Sequence, residues 1–172
     1  NLFLADNAKE WFGTNIITNK SIYIYTEQGL GDYIQFSRYL ILINKLGAKI
    51  ILDTPQSLRN IIETIGVDFD YLEKLKTKNY DFYCSIMSLP YIFKTEYRSI
   101  PSPVPYLYVN KNKDSFWKVK IKDKKIKNIG LMWSGNKKTG TLLNNRHIPL
   151  RKLKTILDLP FNFYSLQINI EE

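Results

Sequence analysis

Two rhythms of apolar and polar positions run along the chain, one of period two and one near 3.6. Residues 21–26 (SIYIYT) are a short apolar run rich in β-branched and aromatic side chains, which predicts a strand. A glycine-containing turn, EQGLGD, follows at 27–32. Over 33–46 the rhythm changes: Ile34, Tyr39, Leu42, Ile43 and Leu46 recur at helical intervals, and Gly47 stands where a glycine ends a helix. Residues 49–53 (KIILD) predict a second strand. Thr54-Pro55 opens a second helix through Ile65, closed by Gly66. Residues 67–72 (VDFDYL) alternate as a third strand, and 80–85 (YDFYCS) as a fourth that leads into a turn at 88–90.

Pro101, Pro103 and Pro105 stiffen a connector, followed by a short strand at 106–109 and a helix around 115–122. A new unit then begins, with a strand at 128–133 (NIGLMW), a polar loop at 134–145, a helix at 148–159 and a strand at 161–167 (FNFYSLQ). There is no internal repeat. The β-turn-α-β-α-β order predicts an α/β fold, a Rossmann-like parallel sheet with helices on both faces. A lone βαβ unit of about 45 residues buries too little surface to stand alone. The expected divisions are therefore a complete α/β domain at 1–105, a basic linker and helix at 106–127, and the start of a second Rossmann-like domain at 128–172.

Composition narrows the class. Hydrophobic residues at 44% with aromatics at 14% are globular values and exclude a disordered segment. No apolar stretch approaches the ~20 residues of a membrane span, and no signal peptide opens the sequence. The single cysteine, Cys84, excludes an intramolecular disulfide and a cysteine-based zinc site, and the single histidine, His147, excludes a His-rich metal site. A cytoplasmic location is expected.

The net charge of +9 is uneven. Residues 111–127 hold eight lysines against Asp114 and Asp123, which is +6 and leaves +3 for the rest of the chain. Such a stripe is either a footprint for phosphates or another anionic surface, or a solvated helix and linker. Twenty lysines against five arginines, with 22 isoleucines and 15 asparagines, favour the second reading, because the same excess follows from AT-rich coding.

Two loops carry the candidate chemistry. EQGLGD leaves the carboxyl end of the first strand, where ligands of open parallel sheets collect. Gly29 and Gly31 allow positive φ and close backbone approach, and the helix starting near Asp32 is expected to present unpaired N–H groups. Asp32 itself reads either as the helix N-cap or as a catalytic carboxylate. The turn is not a dinucleotide fingerprint, since Ile34 occupies the third glycine position. The second loop runs from Trp133-Ser134-Gly135-Asn136 to Asn144-Asn145-Arg146-His147. There Lys137, Lys138 and Arg146 read either as neutralisers of a diphosphate or as solvated cations. His147 reads as an acid/base group or a local hydrogen-bonding residue, and Cys84 as core.

The segments EQGLGDYIQFSRYL (27–40), GLMWSGN (130–136), RHIPL (146–150) and YSLQ (164–167), with Trp11-Phe12-Gly13 upstream, together resemble the glycosyltransferase domain that follows tetratricopeptide repeats in many bacterial proteins. That domain is similar to the heptosyltransferases. The resemblance spans nearly the whole chain, and the EQGLGD segment is its most specific part. It implies a GT-B architecture, two Rossmann-like domains across a cleft, with the acceptor bound by the first and the nucleotide-sugar donor by the second. Asp32 matches the family's candidate general base. Gln28, Gly29 and Gly31 would lie against the acceptor, and Asn136, Lys137 and Arg146 near the donor phosphates. No cofactor or metal is implied beyond the nucleotide-sugar substrate. The implied partners are a glycan, lipid-linked saccharide or protein acceptor, a peripheral membrane contact and an upstream repeat region, with no specific nucleic acid. Asn145 and His147 depart from the Asp and Ser usual in the family, and an incomplete donor domain is expected. The alternative expectation is a non-catalytic glycan- or protein-binding module of the same descent.

Overall fold

β2 (Ser21–Tyr25) is apolar on both faces, and four of its five residues are buried, as the central strand of a parallel sheet must be. The computed structural model describes residues 5, 7–27, 29–75, 79–101, 104–121, 125–135 and 148–167. They form two compact units, Asn1–Lys111 and Asn112–Glu172.

The first unit is a five-stranded, wholly parallel sheet of order β1-β5-β2-β3-β4, built from β1 (Lys9–Glu10), β2, β3 (Lys49–Leu52), β4 (Phe69–Tyr71) and β5 (Phe82–Ser85). Ile24 sits beside Leu52 of β3 and Cys84 of β5. The four strands expected from the sequence are present; β1 is an addition. The helices are α1 (Leu30–Ser37), α2 (Leu40–Lys45), α3 (Arg59–Ile62) and α4 (Leu89–Ile92). Tyr33, Leu40, Ile43, Ile62 and Leu89 from these helices join Ile22, Ile24, Ile50, Leu52 and Cys84 in one cluster on one sheet face. The other face carries Tyr23, Tyr25 and Ile51 under Leu72 and Tyr80. Helices on both faces were expected; those described pack on one face. The reason is local: the crossover from β4 to β5 holds only a 3₁₀ turn, Leu72–Lys74, among its described residues.

Further differences have similar local causes. The first helix begins at Leu30 rather than 33 and breaks at Arg38 and Tyr39. The second shrinks to a 3₁₀ turn, Gln56–Leu58, followed by α3. Residues 88–90 lead into α4 instead of forming a turn, and 106–109 form no strand. Gly47 (φ +75°) and Gly66 (φ +73°) take the left-handed conformation expected where each helical stretch ends.

The second unit contains α5 (Lys111–Lys120, whose first residue closes the first unit), β6 (Asn128–Leu131), α6 (Lys154–Leu157) and β7 (Asn162–Ser165). β6 and β7 pair in parallel, Asn128 beside Asn162 and Leu131 beside Ser165. None of the residues in these four elements is buried, as expected when two strands and short helices have so little surface to cover one another. Among the described residues, no helix is long and apolar enough to cross a membrane.

Candidate functional site

Chain order moves outward from β2 to β3 and β4 on one side, then returns to β5 on the other. Strand order therefore reverses between β2 and β5. In open α/β sheets such a reversal leaves a crevice beyond the carboxyl ends of the two strands, because their following segments depart in opposite directions. The EQGLGD loop leaves β2 at that point, and the 3₁₀ turn Ile86–Ser88, packed against α1, leaves β5 there.

Gly29 is the N-cap of α1, extended at φ −68° and ψ 168°, with no side-chain cap. Asp32 is the third residue of α1, not its cap, and is half-buried. Its carboxylate turns back over the helix start: Oδ2 lies 3.5 Å from where a Cβ on Gly29 would sit. An acid in the first turn also interacts favourably with the positive end of the helix dipole. Neither Gly29 nor Gly31 uses the positive φ that glycine allows. Gly31 is helical, and a Cβ there would meet nothing within 4 Å. Its backbone is open to solvent by lack of a side chain, not by unusual geometry.

The helix start is held from behind. Tyr33 is fully buried, and its hydroxyl lies 2.6 Å from Thr54 Oγ1 at the end of β3. Burial raises the Tyr33 phenol above its ordinary range, so it stays neutral. At Tyr25, the last residue of β2, burial first and then the Glu27 carboxylate push the phenol pKa up to about 12. At the end of β5, the buried Ser85 accepts a 3.2 Å bond from the Met87 N–H. Thr26 Oγ1, just past β2, is the one buried side-chain oxygen among the described residues with no partner. A buried hydroxyl left unpaired costs about 1–3 kcal/mol. Thr26 and Ser85 escaped the sequence reading. The available signal was their position, at or just after the carboxyl end of a central strand.

Cys84 is core as expected, 1% exposed, its thiol pushed up to about 12 by burial and then by Glu10 and Glu27. Iodoacetamide should therefore leave Cys84 unmodified in the folded protein at pH about 8 and label it only as fast as the chain unfolds. Stopped labelling over increasing urea checks this; rapid labelling without denaturant would contradict it.

In the second unit, two of the segments that carried the resemblance meet. Gln167 Oε1 accepts from the N–H groups of Trp133 (3.3 Å) and Ser134 (3.0 Å), and its Nε2 donates to the Ser134 carbonyl at 3.1 Å. One carboxamide thus fixes the chain as it leaves β6. Gly130 in β6 lies under the Leu166 side chain: a Cβ there would come within 2.6 Å of Leu166 Cδ1, so that exposed side chain would have to shift. Of the residues expected to bind substrate, Gln28, Asn136, Lys137 and Arg146 lie outside the described residues, as do Lys138 and His147.

No protein-family model, curated protein or solved structure matches this chain.

Two cavities lie elsewhere. One of about 420 Å³ opens at the amino ends of β2 and β5, lined in part by Lys20, Ser21, Tyr80 and Asp81. Its polar groups already engage each other: Asp81 accepts from Ser21 N–H (2.8 Å) and Ser21 Oγ (2.9 Å). Those bonds first, and Lys20 after them, hold the Asp81 carboxyl below its usual range. The second, of about 260 Å³, lies beside β4 and includes Asp68, Asp70 and Lys74. Cavity volume and topology thus point to different places. Topology is the stronger guide here, because the polar groups lining the first cavity fasten β2 to β5. Among the described residues, no three His, Cys, Asp or Glu side chains gather as a metal-ligating group.

Proposed function

We propose that this chain is the acceptor-side part of an inverting glycosyltransferase of the GT-B type, acting in the cytoplasm on a nucleotide-sugar donor. The observation that carries the reading is the EQGLGD loop at the reversal between β2 and β5, with Asp32 half-buried in the first turn of α1. The resemblance of that segment to heptosyltransferase-like domains supplies the reaction class.

In this reading Asp32 takes the proton of an acceptor hydroxyl as that oxygen attacks the anomeric carbon. The new C–O bond forms on the face opposite the leaving group. The bond to the nucleoside diphosphate breaks with its electron pair on the departing phosphate oxygen, so the sugar is inverted. The open backbone at Gly29 and Gly31 leaves room for a saccharide. Asn136, Lys137 and Arg146 are proposed for the donor phosphates.

Gly31→Ala separates this role from a structural one. Alanine in a helix is favoured over glycine by about 0.5–1 kcal/mol, and this Cβ meets nothing, so the variant should melt no lower than the parent. In the acceptor reading, its KM for acceptor should nevertheless rise severalfold, measured as nucleoside diphosphate release. An unchanged KM would remove Gly31 from the acceptor surface. Binding of saccharide without any diphosphate release would favour a binding module.

A further inference from the structure

Helix α5 shows a pattern that elsewhere marks a buried face. Lys113, Phe116, Trp117 and Lys120 stand at i, i+3, i+4 and i+7, one stripe along the helix. Such a stripe ordinarily packs into a core. Here Phe116 is 53% exposed, Trp117 54% and the nearby Val119 78%. Four lysines against Asp114 leave the helix at +3. The sequence alone favoured a solvated helix; two exposed aromatic rings on the lysine-bearing face are what that reading leaves unexplained.

We infer that α5 is a docking surface for the anionic face of a phospholipid bilayer. Charge complementarity points to an anionic partner, and the side-chain chemistry selects among such partners. Aromatic rings flanked by lysines settle at the boundary between headgroups and acyl chains, while the ammonium groups pair with lipid phosphates. Val119 adds an aliphatic group, which gains from acyl chains and not from nucleic-acid bases. The two rings meet edge to face, with centroids 5.4 Å apart at 84°, and Lys120 Nζ lies 4.4 Å from the Phe116 ring and 5.6 Å from the Trp117 ring. The rings are thus packed against each other and against a cation rather than displayed as a flat platform for bases. The scarcity of arginine points the same way, since arginine is the side chain that forks onto guanine edges.

This surface is independent of the proposed transfer reaction and is tested without it. The full chain is sedimented with vesicles of equimolar phosphatidylglycerol and phosphatidylcholine, and with vesicles of phosphatidylcholine alone. Binding to the anionic vesicles only is expected, with a blue shift of emission that is lost in Trp117→Phe. Phe116→Ser with Trp117→Ser should weaken vesicle binding at least about tenfold. Lys113→Gln with Lys120→Gln should weaken it about 25-fold, near fivefold per lysine. All four positions are exposed, so circular dichroism should be unchanged. The inference is overturned if anionic vesicles are not bound, or if removing both rings leaves vesicle affinity unchanged. It is also overturned if a single-stranded oligonucleotide at the same salt binds more tightly than the vesicles and loses affinity with the same ring substitutions, which would assign the face to nucleic acid.

Discussion

Asp32→Asn is expected to lower kcat for sugar transfer by about 10²–10⁴-fold, the usual contribution of a positioned general base, while the protein keeps its fold. The second half of that expectation rests on what Asp32 does not do. The N-cap position belongs to Gly29, whose only capping is by backbone, and the backbone bond from the Tyr33 N–H to the Gly29 carbonyl (3.1 Å) does not involve the Asp32 side chain. The amide of asparagine has nearly the same shape as the carboxylate and forfeits only the dipole contribution, roughly 0.3–1 kcal/mol. Loss of transfer with an unchanged melting curve and intact donor binding is the combination that identifies a base. A large fall in melting temperature would make Asp32 structural instead, and full activity would require another base.

Trp11→Ala should be the most damaging single truncation for stability, costing about 3–5 kcal/mol. Trp11 is 2% exposed, its Nε1–H donates to the Asn15 carbonyl at 3.1 Å, and its ring meets Phe93 edge on at a centroid distance of 6.0 Å. The Trp11 N–H also bonds the Tyr83 carbonyl at 2.9 Å, extending the pairing of β1 with β5. Removing the ring leaves a cavity where the amino-terminal segment is fastened to the sheet. Gly13 completes this anchor, with φ +86° and a position where a Cβ would come within 2.7 Å of Ile92 Cγ2. Single domains are stable by only about 5–15 kcal/mol, so urea denaturation should show a midpoint greatly lowered in Trp11→Ala. A loss below about 1 kcal/mol would mean that the segment before β2 contributes little to the fold. Trp11-Phe12-Gly13, taken from the sequence as part of a functional resemblance, thus has a structural role in two of its three residues.

That case shows where sequence reading succeeds and where it stops. Strands β2, β3 and β5 are legible because inner parallel strands must be apolar on both faces, and the runs containing Ile22–Ile24 and Ile50–Ile51 have no other use in a small domain; β4, at the sheet edge, is legible by its alternation instead. The helix-ending glycines, Gly47 and Gly66, are legible because left-handed φ penalises every other residue. β1 is not legible: Lys9 and Glu10 are polar and exposed, and the strand exists through backbone bonds such as Lys9 N–H to the Asp81 carbonyl at 3.1 Å. The start of α1 is misread for a related reason. Two glycines around Leu30 have the composition of a turn, yet Gly29 serves as an extended cap and Gly31 as a helical residue. At the site, the loop after β2 follows from topology rules, but Tyr33 paired with Thr54 and the Thr26 hydroxyl, without a partner among the described residues, do not. Hydroxyl pairing across 21 residues leaves no periodicity, and a missing partner leaves no sequence trace at all.

Whether the loop between β2 and α1 serves sugar transfer is decided by diphosphate release from nucleotide-sugars. The protein would be titrated calorimetrically with a panel of uridine-, guanosine-, adenosine- and cytidine-linked sugars, and each bound donor then followed for hydrolysis or transfer. One donor class should be bound and turned over, with the anomeric configuration inverted in the product, and Asp32→Asn should bind the same donor without turnover. Absence of binding to every donor, or turnover with retained configuration, would contradict that role.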